Sequence, residues 1–551
     1  MANKITRDII ESYLHCKYKG HLKLAGESGT QSDYETMTIA ARLSSCEQAV
    51  GALVARFGEG DTGRGATLTA AILKNGTPLL GDVNLEDEEM FLRYDALKRA
   101  DGASKLGNHH YVPVLYHDGE KVGTRQKLQV AILGLVLARL QGLRPSYGLI
   151  TRGPDARLRN VRLNTKHYRG AEKILGELDR LKARVDLPRL TLNRHCHVCE
   201  YRQSCRQQAV QADDISLLET VSQKEIQKYN RKGIFTLTQL SYTFRPRKRG
   251  KRVKRAGSIR NSALQALALR EKKVHVCGTP DLPRKPVQIF LDAEGNGDAT
   301  FAYLLGVLVV EGDSHKMHSF WADTQDREAV AFNAFLDLLS DREDFVLFHY
   351  GSYEKALLKR MRNVVTRKSL VDRALEKTSN VLSAIHATVY FPTFSNGLKD
   401  VGRYLGCTWT AEDASGLQSL VWRSRREQTG ESCWKDKLLS YNAEDCVALK
   451  REVTSRFARR SLSRKLDFHN SLFDNELWNQ TIGRFAGSPG IFFAVSQGVS
   501  GIPRAFRPLA RKPRRDLLKR VAEFVQAVSS AARNRATETT SAPIVFGTRI
   551  E

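Results

Sequence analysis

The sequence predicts a multidomain α/β protein. Three observations carry that expectation: a length of 551 residues, a region of apolar strand-like runs alternating with amphipathic helical segments from Pro286 onward, and a Lys/Arg-rich stretch too charged to bury between two regions of globular composition. At about 150 residues per domain the length accommodates about three or four units. The 41% of hydrophobic residues supplies their cores. We expect region 1–212 to be a mixed-pattern domain ending in a cysteine cluster. Region 213–285 is expected to hold two short helices around Lys232-Gly233-Ile234 and a basic linker. Region 286–460 is expected to be the strand–helix domain. Region 461–551 is expected to be basic and partly disordered, with a second basic run at Arg504–Arg520 and a Ser/Thr/Ala/Arg-rich stretch at Ser529–Ser541. No internal repeat is visible.

Lys and Arg outnumber Asp and Glu by 87 to 60, a net charge of +27. A surplus of that size points to a polyanionic partner, most commonly nucleic acid. The run Arg245–Arg255 contains Arg247, Lys248, Arg249, Lys251 and Arg252, which are placed to grip a phosphate backbone without sequence preference. A solvated linker is the alternative. No feature reads base edges, so no sequence specificity is expected. The N-terminus lacks a signal peptide's apolar core, and no apolar run reaches the roughly 18 residues of a membrane span. We expect a soluble cytoplasmic protein with no membrane partner. Its nine cysteines are then reduced thiols or metal ligands.

Val287–Asp292 reads as a buried strand, with Asp292-Ala-Glu294 at its tip. Residues i and i+2 of a strand share a face, so the two carboxylates stand side by side. Their repulsion is relieved if a cation intervenes. Phe301–Val310 and His318–Ala322 read as the next strands of an antiparallel meander, and Glu328–Leu339 as a helix. Phe345–Tyr350 is another buried strand, followed by a helix that opens near Glu354. Leu438–Val453 is a helix on which Tyr441 and Asp445 stand at i and i+4, on one face. Paired acids are what phosphodiester hydrolysis by two hard divalent ions requires, with Mg²⁺ or Mn²⁺ taking carboxylate and water oxygens.

Four segments resemble the exonuclease motifs of YprB-type RNase H-like domains: Phe290–Gly295, His349–Glu354, Phe394–Gly406 and Tyr441–Leu449. The resemblance implies an RNase H-like domain with a mixed sheet, of the DEDD type. It implies that Asp292, Glu294, Glu354 and Asp445 are the metal-binding carboxylates, and that Tyr441 places the attacking water. Glu354 stands where the family carries Asp, with a longer side chain.

Cys196, Cys199 and Cys205 form Cys-x2-Cys-x5-Cys, and Cys16 stands near the N-terminus. Three close thiols and one distant thiol complete a four-ligand set. This arrangement resembles the iron–sulfur RecB-like nucleases, which have a PD-(D/E)XK-like α/β fold. The resemblance implies a 4Fe-4S cluster on those four cysteines; Zn²⁺ is the alternative. Tyr94-Asp95-Ala-Leu97, Gln129 and Leu140–Pro145 add to it. These nucleases need an Asp and then an acid-x-Lys on the next strand. Asp95 fits the first, but Val112 and Val114 stand where the pair is expected, so we expect a degenerate domain kept for binding. Leu217–Leu240 resembles a helix-hairpin-helix, with a plain helical linker as the alternative.

Together these segments resemble the bacterial RecB-like nuclease family that joins an iron–sulfur RecB domain to a YprB-type domain. The resemblance implies a 3′–5′ exonuclease acting on DNA, or on RNA. The alternatives are a non-catalytic module that delivers nucleic acid to a helicase or partner nuclease, and a zinc-bearing regulatory protein.

Overall fold

The computed structural model describes residues 4–455 apart from 120, 154–155, 246–259 and 387, and all of them lie in one compact unit. The basic run from Arg247 to Arg252 and the region beyond residue 455, with Arg504–Arg520 and Ser529–Ser541, lie outside the described residues.

The N-terminal part opens with β1 (Ile5–Thr6), α1 (Arg7–His15), α2 (Lys17–Leu24), α3 (Asp33–Phe57), β2 (Thr62–Arg64) and α4 (Ala70–Lys74). It continues through β3 (Leu79–Glu86), β4 (Met90–Ser104), β5 (Gly107–Tyr116), α5 (Thr124–Gln141), β6 (Tyr147–Arg152), β7 (Arg157–Arg162), α6 (Thr165–Lys182) and α7 (Arg202–Gln211). The strands form one mixed seven-stranded sheet in the order β2-β3-β4-β5-β6-β7, with β1 added parallel to β4. Both faces are covered, which is why β5 reads as a nearly continuous apolar run. Val130, Leu133 and Leu137 of α5 pack on one face with Leu175 and Leu178 of α6. Ala49 and Leu53 of α3 pack on the other with Val112 and Val114.

A small helical region follows: α8 (Gln223–Asn230), α9 (Leu237–Ser241) and α10 (Ser262–Glu271). The two short helices expected around Lys232–Ile234 are present. Ser222 and Glu225 form a capping box that starts α8.

The C-terminal described part runs β8 (His275–Val276), β9 (Val287–Gly295), β10 (Ala302–Glu311), β11 (Ser314–Trp321), α11 (Glu328–Ser340), β12 (Phe345–His349), α12 (Tyr353–Met361) and α13 (Lys368–Glu376). It ends with β13 (Thr378–Asn380), α14 (Val381–Ile385), β14 (Val389–Tyr390), α15 (Leu398–Tyr404), α16 (Gly416–Thr429) and α17 (Ser432–Thr454). Its sheet is also mixed, ordered β11-β10-β9-β12-β13. The meander β9-β10-β11 is antiparallel, while β12 and β13 run parallel to β9. Ile289 and Leu291 of β9 face Phe332, Phe335 and Leu336 of α11. Phe290 faces the other way, into a cluster with Phe348, Cys446 and Leu449. Asp292 and Glu294, in step with Phe290 on the strand, therefore face α17. The expected boundaries at 212/213 and 285/286 fall between the two sheets. Contacts nevertheless join them: Arg425 of α16 pairs with Asp33 of α3 at 2.7 Å. Among the described residues no helix is long and apolar enough to cross a membrane.

Candidate metal centre

β9 delivers Asp292 and Glu294, and α17 crosses that face of the sheet. In the ladder Gly306 of β10 stands opposite Asp292. A Cβ at Gly306 would overlap the side-chain amide of Asn442. The missing side chain lets α17 come close, and Asn442 Nδ2 donates to Asp292 Oδ2 at 2.7 Å and to the Asp292 carbonyl at 3.1 Å. One turn of α17 then aims both Tyr441 and Asp445 at the same place. Ser419 of α16 donates to Glu294 Oε2 at 2.7 Å, and Trp409 Nε1 donates to Asp445 Oδ1 at 2.7 Å. Lys399, in the first turn of α15, donates to Tyr441 Oη at 2.7 Å and to Asp445 Oδ1 and Oδ2 at 3.1 and 3.0 Å.

One oxygen from each of Asp292, Glu294 and Asp445 lies within 4.8 Å of the other two. Glu294 and Asp445 are buried and Asp292 is partly so. Burial pushes the Asp292 carboxyl well above its usual range, and the charges of Asp445, Glu294 and Glu354 push it further. Burial raises Glu294 to about 8, with Asp445 and Glu354 adding to the shift and Ser419 and Lys399 opposing it. Three converging hard oxygen donors fit a divalent cation, which offsets their mutual repulsion.

Glu354 belongs to the same electrostatic group but not to the close triad. Gly351, at a φ of +95°, turns the chain out of β12, and Glu354 enters in the first turn of α12. It is 4% exposed, and its Oε2 has no hydrogen-bond partner. That oxygen faces Nδ1 of His349, 1% exposed and likewise without a hydrogen-bond partner, at 3.6 Å. Two buried polar atoms left unmatched side by side are costly unless something binds there.

A family model now supplies a comparison. Residues 289–454 match the RNase H superfamily. No curated protein matches the chain. The matched segment includes the triad, Glu354, Tyr441 and Lys399. An RNase H-like domain points to nuclease-type activity, nucleic acid as substrate and divalent metals as cofactors. Sequence reasoning missed four members of this domain's site: Lys399, Trp409, Ser419 and Asn442. Lys399 and Asn442 lie inside the segments Phe394–Gly406 and Tyr441–Leu449, but nothing in a linear pattern shows which acid a lysine meets. Ser419 and Trp409 carry no local signal.

The four expected cluster cysteines are near enough to act on one another electrostatically. Cys16 is the N-cap residue of α2, Cys196 lies in a short 3₁₀ turn that Cys199 ends, and Cys205 lies in α7. Burial raises the Cys205 thiol to about 12, and the neighbouring Cys199, Cys196 and Cys16 add to the shift. Asp95 is already engaged: Arg7 grips both carboxylate oxygens at 2.6 and 3.0 Å, and the Tyr116 N–H donates to it at 2.7 Å. The ladder also locates the two valines expected in place of the acid-x-lysine. The ladder between β4 and β5 ends where Ala96 pairs with Val114, and just beyond it the Tyr116 N–H donates to Asp95. Val112 and Val114 point into the core against α3. The periodicity of an all-apolar strand offers no phase by which to place them from sequence.

Proposed function

We propose that the RNase H-like domain is a metal-dependent 3′–5′ exonuclease acting on DNA, with RNA as the alternative substrate. The observation that carries this reading is the buried triad of Asp292, Glu294 and Asp445, whose oxygens converge within 4.8 Å. In this reading the triad and Glu354 hold two Mg²⁺ or Mn²⁺ ions. Bound ions of this kind activate a water molecule and stabilise the leaving oxygen of a phosphodiester. Asn442 and Ser419 fix the carboxylates that receive them. Tyr441, packed edge-on against Trp422 with centroids 5.9 Å apart, holds its hydroxyl at the cluster to orient the attacking water.

Region 1–212 is read as a RecB-like unit that binds but does not cleave, because Arg7 neutralises Asp95 and no acid-x-lysine stands beside it. Its four thiols are read as ligands of a 4Fe-4S cluster. Around one zinc ion, with Zn–S bonds of about 2.3 Å, thiolates crowd to within about 4 Å. Zn²⁺ on the same four thiols, drawn that close, is the alternative. Region 213–285 is read as a helical hairpin and basic linker that touch backbone. A helicase or partner nuclease would be served by the same binding surfaces.

The deciding assay is a time course on 5′-labelled single- and double-stranded DNA and RNA, with Mn²⁺, Mg²⁺ or EDTA, for wild type, Asp292→Ala and Asp445→Ala. Wild type should shorten its substrate from the 3′ end, and neither variant should. Retained binding with no hydrolysis under any metal would sink the nuclease reading in favour of the delivery module.

A further inference from the structure

Lys399 makes all three of its side-chain hydrogen bonds inside the metal centre, to Tyr441 Oη and to both oxygens of Asp445. Its ammonium also lies over the ring of Tyr441, 4.2 Å from the centroid, and near that of Trp409 at 5.5 Å. The side chain is 21% exposed, so one side of it opens towards solvent. Asp445 has a second donor in Trp409 Nε1, which is neutral and approaches Oδ1. The carboxylate therefore stays anchored without the lysine.

An Asp445 oxygen committed to a divalent ion cannot also keep an ammonium at 3.0 Å without crowding two cations together. The Tyr441 hydroxyl and the two aromatic faces can still hold the ammonium beside the site once Asp445 is taken. Its freed N–H groups then need an anionic acceptor. The neighbouring Asp400 accepts from Ser395, and no other carboxylate contacts Lys399 among the described residues. In a phosphodiester complex the nearest free anion is the substrate itself.

We infer that Lys399 is a further catalytic residue of this centre, a cation that exchanges Asp445 for a phosphate oxygen of the substrate when a divalent ion binds. The inference rests on the nuclease reading for the identity of the substrate. In the metal-free protein Lys399 is an internal counter-ion. In the loaded protein it is a donor to the phosphate, adding positive charge where negative charge accumulates.

Two readouts test this without turnover. Mn²⁺ titration followed by electron paramagnetic resonance should give roughly tenfold tighter binding to Lys399→Met than to wild type, since a competing cation is gone. Binding of 5′-labelled single-stranded DNA and RNA should be compared in EDTA and in Ca²⁺. The two proteins should match in EDTA, where Lys399 is held by Asp445. In Ca²⁺ wild type should bind roughly tenfold more tightly than Lys399→Met, the scale of one charged hydrogen bond. Lys399→Arg should recover part of the difference, and thermal denaturation checks that each variant is folded. The inference is overturned if Lys399→Met binds Mn²⁺ more weakly, or if its deficit in nucleic-acid binding is the same with and without Ca²⁺. Failure of the nuclease reading looks different: no protein hydrolyses any substrate, while the Ca²⁺-dependent difference persists.

Discussion

Replacing Glu294 with Gln removes one ionisable group from a buried cluster and leaves its shape almost unchanged. Folding raises this carboxyl from 4.5 to about 8, with burial as the chief cause. The folded state therefore retains a proton that the unfolded chain releases, and stability falls as pH climbs from about 4.5 to about 8. Linkage over that interval gives a cost that is small at pH 5.5 and nearly complete at pH 9, a few kcal/mol in all. Gln carries no such cost. The stability of Glu294→Gln relative to wild type should thus improve by about 3 kcal/mol between those pH values. At roughly 2–4 °C per kcal/mol for a domain of this size, Tm differences should diverge by about 6–12 °C. The assay is thermal denaturation of both proteins in EDTA at the two pH values. Manganese at a hundred times its Kd adds about 2.7 kcal/mol to a protein that binds it, which should reverse the order at pH 5.5 and narrow the gap at pH 9. A Tm difference independent of pH would refute the charge-repulsion account of this site, whatever happens to activity.

Other outcomes follow from the same geometry. Asp445→Ala should keep the fold, because Lys399 and Trp409 can rehydrate, yet lose at least about a hundredfold in metal-dependent hydrolysis measured by end-label release. Gly306→Ala should cost about 1–3 kcal/mol by denaturant titration and weaken Mn²⁺ binding, since the new methyl displaces Asn442 from Asp292. Arg7→Ala should destabilise by about 3–5 kcal/mol, the scale for breaking a buried ion pair, while hydrolysis per folded molecule stays unchanged. Cys16→Ser should abolish broad visible absorption in anaerobically purified protein; a colourless wild type containing zinc by elemental analysis would replace the cluster with a single ion.

The α/β class and much of the strand and helix order from Val287 onward were legible because period-2 and period-3.6 patterns there are clean. The placement of Asp292 beside Glu294, and of Tyr441 over Asp445, follows from those periods alone. Glu354 was the harder case. Its segment marks it as an acid of the site, but its distance from the triad depends on how far α12 stands from β9. Lys399 was invisible for a related reason: its partners lie about forty residues further along the chain, and only the docking of α15 against α17 brings them together. Val112 and Val114 show the opposite limit. On a strand buried on both faces every phase looks alike, so the register that turns Val112 and Val114 into the core against α3 came only from hydrogen bonding to β4.

The order in which the chain is made gives the closing helix one more role. Asp292 and Glu294 leave the ribosome early, while Asn442, Tyr441 and Asp445 emerge on the order of ten seconds later at ordinary synthesis rates. Until α17 docks, two repelling acids stand at an open sheet face with no third ligand and no Asn442 to orient them. A nascent chain, or one broken off before residue 432, carries the first half of the centre and cannot complete it. The metal centre is therefore complete only once α17 has docked on the sheet.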